Sequence, residues 1–173
     1  MLDLFIPDVY QQSIYTINYK KLKKNGIKCL LFDLDNTIAP YKINEPDQNV
    51  KELFNRLEQD FKVIIISNSG KNRLRPFKEI LNVDVAFSSK KPLKGKYKKI
   101  LELYRFKIDE VACIGDQLLT DILGANRMGL TSILVNRVAK YEMFPTRINR
   151  FMEKFILKKL AKQNILVSGV YYD

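Results

Sequence analysis

The sequence predicts an α/β fold around a parallel sheet, and three observations predict it. Short apolar runs alternate with helix-length segments through most of the chain. Val63-Ile64-Ile65-Ile66 is apolar without polar alternation, as a strand covered on both faces should be. Acids and hydroxyls stand directly after several of these runs, where open α/β sheets bind their ligands.

The elements follow in order. Residues 9–24 read as a short amphipathic helix with Ile14, Ile17 and Leu22 on one face. Lys20-Lys21-Leu22-Lys23-Lys24 gives it a basic end, and Asn25-Gly26 is placed to stop it. Strands are expected at 27–32, 62–66, 83–87, 111–114 and 131–135, a five-stranded parallel sheet. Helices at 47–59, 71–81, 93–104 and 118–127 connect them, giving three layers. Asp47 is placed as an N-cap, and Met128-Gly129 as a stop. Residues 144–163 form a longer helix. Residues 164–173 carry no pattern beyond being apolar and ending in two tyrosines before Asp173. The expected organisation is one domain over 1–143 and a basic helical extension with its tail over 144–173.

Composition narrows the chemistry. At 173 residues the chain suits one domain, and 46% hydrophobic with 28% charged residues is globular composition. There is no histidine, which excludes a Ser-His-Asp triad, a Cys-His dyad and an HExxH zinc site. Acid–base work must fall to carboxylates, lysine, tyrosine or water. The net charge of +11 attracts something anionic: nucleic acid, an acidic membrane surface or a phosphorylated substrate. A lysine-rich proteome would give the same figure. Cys29 and Cys113 lie in apolar runs and make no CxxC pair, so they read as reduced core residues. No secretory leader and no apolar stretch of about 20 residues is present, so a soluble cytoplasmic chain, or one peripheral to a membrane, is expected.

The strand ends carry the chemistry. The first strand ends in Phe32-Asp33-Leu34-Asp35-Asn36-Thr37. Two carboxylates so close repel, and a divalent metal supplies a reason for them. The second strand ends in Ser67-Asn68, a hydroxyl and an amide able to bond an oxyanion. The third connection carries Lys90-Lys91-Pro92. The fourth strand ends in Gly115-Asp116, followed by Thr120-Asp121. Hard oxygen ligands beside a lysine suit a phosphate ester with Mg²⁺.

Asp33-x-Asp35-x-Thr37, Ser67, Lys91-Pro92 and Gly115-Asp116-(x)4-Asp121 resemble, in order, the four motifs of the haloacid dehalogenase (HAD) phosphohydrolases. The chain resembles still more closely the capless IIIA-type YqeG branch, which is similar to the mitochondrial and plastid phosphatases that act on phosphatidylglycerophosphate. Gly115-Asp116-Gln117-Leu118-Leu119-Thr120-Asp121 and the tail Thr146-Arg147-Ile148-Asn149-Arg150-Phe151-Met152-Glu153 carry that closer likeness. The resemblance implies a Rossmann-like three-layer fold with Asp33 as nucleophile, forming an aspartyl-phosphate, and Asp35 as general acid and then base. It implies Mg²⁺ on Asp33, Asp116 and the backbone carbonyl of Asp35. Ser67, Asn68 and Lys91 would hold the phosphoryl group, Thr37 would brace the loop, and Asp121 would orient Lys91 or a metal-bound water.

Spacing leaves no room for a cap domain, since Ser67 to Lys91 spans one helix and one strand. An uncapped site favours a substrate that brings its own bulk, such as a lipid phosphate or a nucleic-acid end. In the last helix Phe144, Ile148, Phe151, Met152, Phe155, Ile156 and Leu160 make an apolar stripe, with Arg147, Arg150, Lys154 and Lys158 on the other side. That pattern suits an anionic membrane surface, and equally packing on the chain's own sheet or on a partner. Phosphatidylglycerophosphate is the expected substrate. A nucleic-acid end phosphatase and a non-enzymatic nucleic-acid or ribosome-binding module remain the alternatives.

Overall fold

The computed structural model describes residues 2–140 and the helix from 144 onward, with side chains from 146. The boundary expected between 143 and 144, and the side chain of Phe144, lie outside the described residues. The sheet strands are β1 (Val9–Gln11), β2 (Cys29–Phe32), β3 (Lys62–Ile66), β4 (Asp84–Ala86), β5 (Val111–Gly115) and β6 (Thr131–Val135). They pair in the order β1-β6-β5-β2-β3-β4, and every pairing is parallel. The helices are α1 (Tyr19–Lys24), α2 (Gln48–Leu57), α3 (Lys71–Leu81), α4 (Gly95–Tyr104), α5 (Leu123–Met128) and α6 (Phe144–Lys162). A single π turn, Leu118–Ile122, precedes α5.

The alternation in β2 builds the three layers. Leu30 and Phe32 face a core that includes Leu53 and Phe54 of α2 and Leu74 and Phe77 of α3. Cys29 and Leu31 face the other layer, with Tyr97 and Ile100 of α4 and Ala125 and Met128 of α5. Both cysteines are free and buried, as the sequence implied. Asp47 caps α2 by accepting from the Val50 N–H at 2.9 Å. Gly129 ends α5 with φ +77°, a conformation in which a side chain would be strained.

Among the described residues the sheet has six strands rather than five. The extra one, β1, lies in the segment read as a helix from Ile14, Ile17 and Leu22, none of which belongs to the strand. Instead Val9–Gln11 pairs with β6, with Val9 level with Ile133. The tail that carried no sequence pattern covers its outer edge. Tyr10 and Tyr172 exchange both backbone hydrogen bonds at 2.9 Å, and Leu166 is buried beneath. Only Tyr19–Lys24 of that segment is helical. Lys23 pairs with Asp60, just before β3 begins, and Lys28 donates to Glu110, just before β5. The N-terminal basic patch therefore sits where strands start, opposite the end that carries the acids.

Helix α6 splits the apolar stripe expected of it. Leu160 is buried, and Ile156 and Leu157 pack with it on Tyr10, Leu118, Ile122, Leu134 and Leu166. Ile148, Phe151, Met152 and Phe155 face outward. Glu153, the acid among the helix's cations, points inward and is buried.

Candidate active site

The register of three central strands assembles the site. Phe32 is level with Ile65 of β3 and Ile114 of β5. Asp33 therefore leaves the sheet beside Ile66 and Gly115, and Ser67 and Asp116 follow one residue later. Asp33, Asp35, Ser67, Asn68, Lys91 and Asp121 all line one open cavity of about 470 Å³ at this edge.

Lys91 is the electrostatic centre. Its ammonium donates to Asp33 Oδ1 at 2.6 Å, Asp121 Oδ1 at 2.7 Å and the Ile66 carbonyl at 2.9 Å. Its neighbour Lys90 is exposed, with φ +56°, which turns the chain so that Lys91 enters. The amide of Asn68 braces this turn. Its oxygen accepts from the Lys91 N–H at 2.7 Å and the Ser89 hydroxyl at 2.8 Å, and its nitrogen donates to the Lys91 carbonyl. The hydroxyl of Ser67 accepts from the Ser69 N–H at 3.1 Å and is buried at the cavity floor.

Oxygens of Asp33, Asp116 and Asp121 lie within 4.8 Å of one another, all three residues being buried. Burial pushes Asp33 well above the carboxylate range, with Lys91 pulling it down and Asp121 and Asp116 pushing it up. Burial likewise pushes Asp116 up to about 6, against the pull of Arg150 and Thr37. Burial alone would lower Lys91, but Asp121 and Asp33 outweigh it and hold it above its ordinary value. Three carboxyls crowded out of water, short of positive charge, are a donor set that fits a hard divalent cation. Asp121, expected only to orient Lys91 or a water, is one of the three. The carboxyl of Asp35 stands apart from them.

Asp35 is held differently. Its oxygens accept from the Ser69 hydroxyl at 2.6 Å and from Arg73 Nε at 2.9 Å. Arg73 also donates to the carbonyls of Ile43 at 2.7 Å and Pro40 at 3.4 Å. It thus ties the loop after β2 to the first turn of α3 and fixes the acid's orientation. Sequence reasoning missed Arg73, because nothing in its spacing marks an arginine seven residues past the end of β3.

Helix α6 supplies the last wall. Thr146 and Asn149 line the cavity, and Asn149 donates to the Gln117 side chain at 3.2 Å. Arg150 donates to the Asp116 carbonyl at 2.7 Å and pairs with its carboxylate. Thr37 donates to the other Asp116 oxygen at 3.0 Å. Glu153 accepts from Arg150 at 2.8 Å and from the Leu119 N–H at 2.9 Å, fastening the helix to the π turn. The signal in the sequence was a lone acid three residues after an arginine in an otherwise basic helix.

Residues 2–139 match the family described as mitochondrial PGP phosphatase. The chain belongs to that family. It is 35% identical over 160 residues to the Bacillus subtilis protein named "Probable phosphatase YqeG", covering 92% of this chain and 93% of that protein. It is 23% identical over 176 residues to the phosphatidylglycerophosphate phosphatase 1 of Arabidopsis thaliana, covering 92% of this chain and 49% of that one. Among solved structures it resembles the cobalt-bound deoxy-D-mannose-octulosonate 8-phosphate phosphatase of Haemophilus influenzae. There the TM-score is 0.53 at 14% identity, over 84% of this chain and 96% of that one. The chain is a phosphatase of the PGP phosphatase family, similar to YqeG, and its fold is like that of a solved HAD-like hydrolase of Porphyromonas gingivalis, with a TM-score of 0.55 at 12% identity over 73% of this chain and 98% of that one.

Proposed function

We propose that the chain hydrolyses the terminal phosphomonoester of phosphatidylglycerophosphate, with Mg²⁺ and through a phosphate covalently held on Asp33. The observation that carries this is a buried carboxyl, Asp33, bonded to a buried ammonium at the floor of an open cavity, with a second carboxyl, Asp35, on the wall. Mg²⁺ on Asp33, Asp116 and Asp121 would offset the charge between a carboxylate and a phosphate dianion.

The chain's own residues do the rest. An Asp33 oxygen bonds to phosphorus, and the bond from phosphorus to the leaving oxygen breaks. Asp35 gives its proton to that oxygen, and the alcohol leaves. Asp35 then takes a proton from water, whose oxygen attacks phosphorus and releases phosphate from Asp33. Lys91 and Ser67 hold the phosphoryl oxygens, and Arg73 and Ser69 keep Asp35 aimed. Asn68 serves as the brace of the Lys91 turn. The family's name and the Arabidopsis relative support the lipid substrate. So does the absence of an inserted domain between β3 and the Lys91 turn, a connection filled by α3 and β4.

The test is a panel of phosphatidylglycerophosphate in vesicles, 3′-phosphorylated oligonucleotide and p-nitrophenyl phosphate, each with Mg²⁺ and with chelator. Turnover of the lipid, lost in Asp33→Asn and with chelator, and acid-stable phosphate on the Asp33 peptide during turnover, are expected. Phosphate release from the oligonucleotide alone would overturn the substrate, and no release from any would overturn the whole reading.

A further inference from the structure

One end of α6 walls the cavity, and its outward face has a character of its own. Ile148, Phe151, Met152 and Phe155 are exposed by 51%, 61%, 46% and 62%. Their spacing places them on one stripe along two turns. Phe151 and Phe155 meet edge to face with ring centroids 5.1 Å apart. Four large apolar side chains in water, side by side, are the mark of an interaction surface.

Farther along the same face the character changes to cationic. Lys159 and Lys162 are exposed there, and the exposed Lys154 and Lys158 flank the stripe. The helix's acid, Glu153, is turned inward, so no carboxylate of α6 lies on this face. A second copy packed parallel on this face would bring these cations together, and one packed antiparallel would offer them no carboxylate from its own α6, whose one acid is turned inward. A surface that accepts apolar groups and attracts several cations at once is a bilayer carrying anionic lipids. The N-terminal basic patch does not share this surface, since it sits at the opposite end of the sheet.

We infer that the outward face of α6 docks on an anionic lipid bilayer, with Ile148, Phe151, Met152 and Phe155 in the headgroup–acyl boundary and the lysines against the headgroups. Thr146 and Asn149 of the same helix line the cavity, so docking sets the cavity's mouth beside the lipid surface. The docking takes its purpose from the lipid-phosphate reading, but it is measured without turnover.

The test uses the full chain and phosphatidylcholine vesicles with and without phosphatidylglycerol, read by flotation. Phe151→Ser/Phe155→Ser and Lys158→Glu/Lys159→Glu/Lys162→Glu change only exposed side chains. Wild type is expected to float with the anionic vesicles, and each variant to partition about tenfold less or weaker. Turnover of p-nitrophenyl phosphate should be unchanged in both variants, which separates loss of docking from loss of folding. Equal flotation with neutral vesicles, or variants that float like wild type, would overturn the inference. So would sedimentation showing that the same variants turn a dimer into a monomer, or loss of oligonucleotide binding in place of vesicle binding.

Discussion

Replacing Lys91 by methionine keeps the length of the stem and removes an ammonium that two buried carboxyls share. Its side chain is 2% exposed, so water cannot take over. Breaking a buried pair from one side costs about 3–5 kcal/mol, because a charge is left without a counter-ion. Three bonds are lost at once, to Asp33, Asp121 and the Ile66 carbonyl. Part of the cost returns as Asp33 keeps its proton, since burial already pushes that carboxyl up. The net loss should therefore sit at the lower end, about 3 kcal/mol, which a total of roughly 5–15 kcal/mol for a folded domain survives. The assay is urea unfolding in chelator for wild type, Lys91→Met, Asp121→Asn and the double variant. Asp121→Asn removes one orphaned charge, so the double variant should recover about 1–2 kcal/mol relative to additivity. Adding Mg²⁺ should restore part of the Lys91→Met loss, because the cation supplies charge that the ammonium no longer does. A Lys91→Met cost below about 1 kcal/mol, or strict additivity with Asp121→Asn, would refute the buried network as a source of stability.

Three further outcomes follow from the same geometry. Gly115→Ala sets a methyl group into the Asp121 carboxyl, so it should unfold at lower urea and bind Mg²⁺ more weakly by calorimetry; a variant equal to wild type in both would show that Asp121 is free to move. Arg150→Ala removes the partner of the Asp116 carboxylate and of Glu153, which should loosen α6, seen as faster amide exchange at Leu119, whose N–H donates to Glu153. Exchange at Leu119 as slow as in wild type would show that Glu153 holds the helix without Arg150. The third outcome concerns pH. Asp116 stands at about 6 in the folded chain against an ordinary 3.8, so the folded chain holds a proton the unfolded chain has lost between those values. In chelator the stability this group contributes should be present in full below 3.8 and lost as pH rises through about 6. The difference between wild type and Asp116→Asn across that window isolates it, and a difference that stays flat would contradict the burial of Asp116.

Much of this architecture was legible because each element carried a local signal that agreed with its neighbours. Val63–Ile66 of β3 was an unbroken apolar run, Asp47 stood before a helical period, and Asp33 and Asp116 stood one residue past the strands that present them. β1 was not legible for a physical reason. It is three residues long and at an edge, and it is held by β6 on one side and by Tyr172 of the tail on the other. Contacts made across the whole chain leave no period in nine or ten residues. Arg73 was obscure in the same way, and the partner of Arg150, though not the residue, was too. Each reaches a carboxylate 38 or 34 positions away, and a surface arginine would look identical in sequence.

The π turn and α6 explain how a site without an inserted domain gains a wall. The chain runs from Asp116 at the end of β5 directly into the π turn, whose Asp121 folds back to Lys91 while its Leu119 N–H donates to Glu153. Arg150 then bonds both the backbone and the side chain of Asp116. The last helix is thus tied to the carboxyl cluster by a continuous chain of polar contacts, not only by Leu160 in the core. Charge at Asp116 and the seating of α6 become linked: whatever draws that carboxylate away from Arg150 loosens the helix, and whatever fixes the helix holds the carboxylate. An Arg150→Lys variant separates the two effects. A point charge can satisfy the carboxylate but cannot fork to the Asp116 carbonyl and Glu153 as the guanidinium does. Its stability in urea should fall only slightly, while amide exchange at Leu119 should approach that of Arg150→Ala. Exchange at Leu119 as slow as in wild type would mean that charge alone seats the helix.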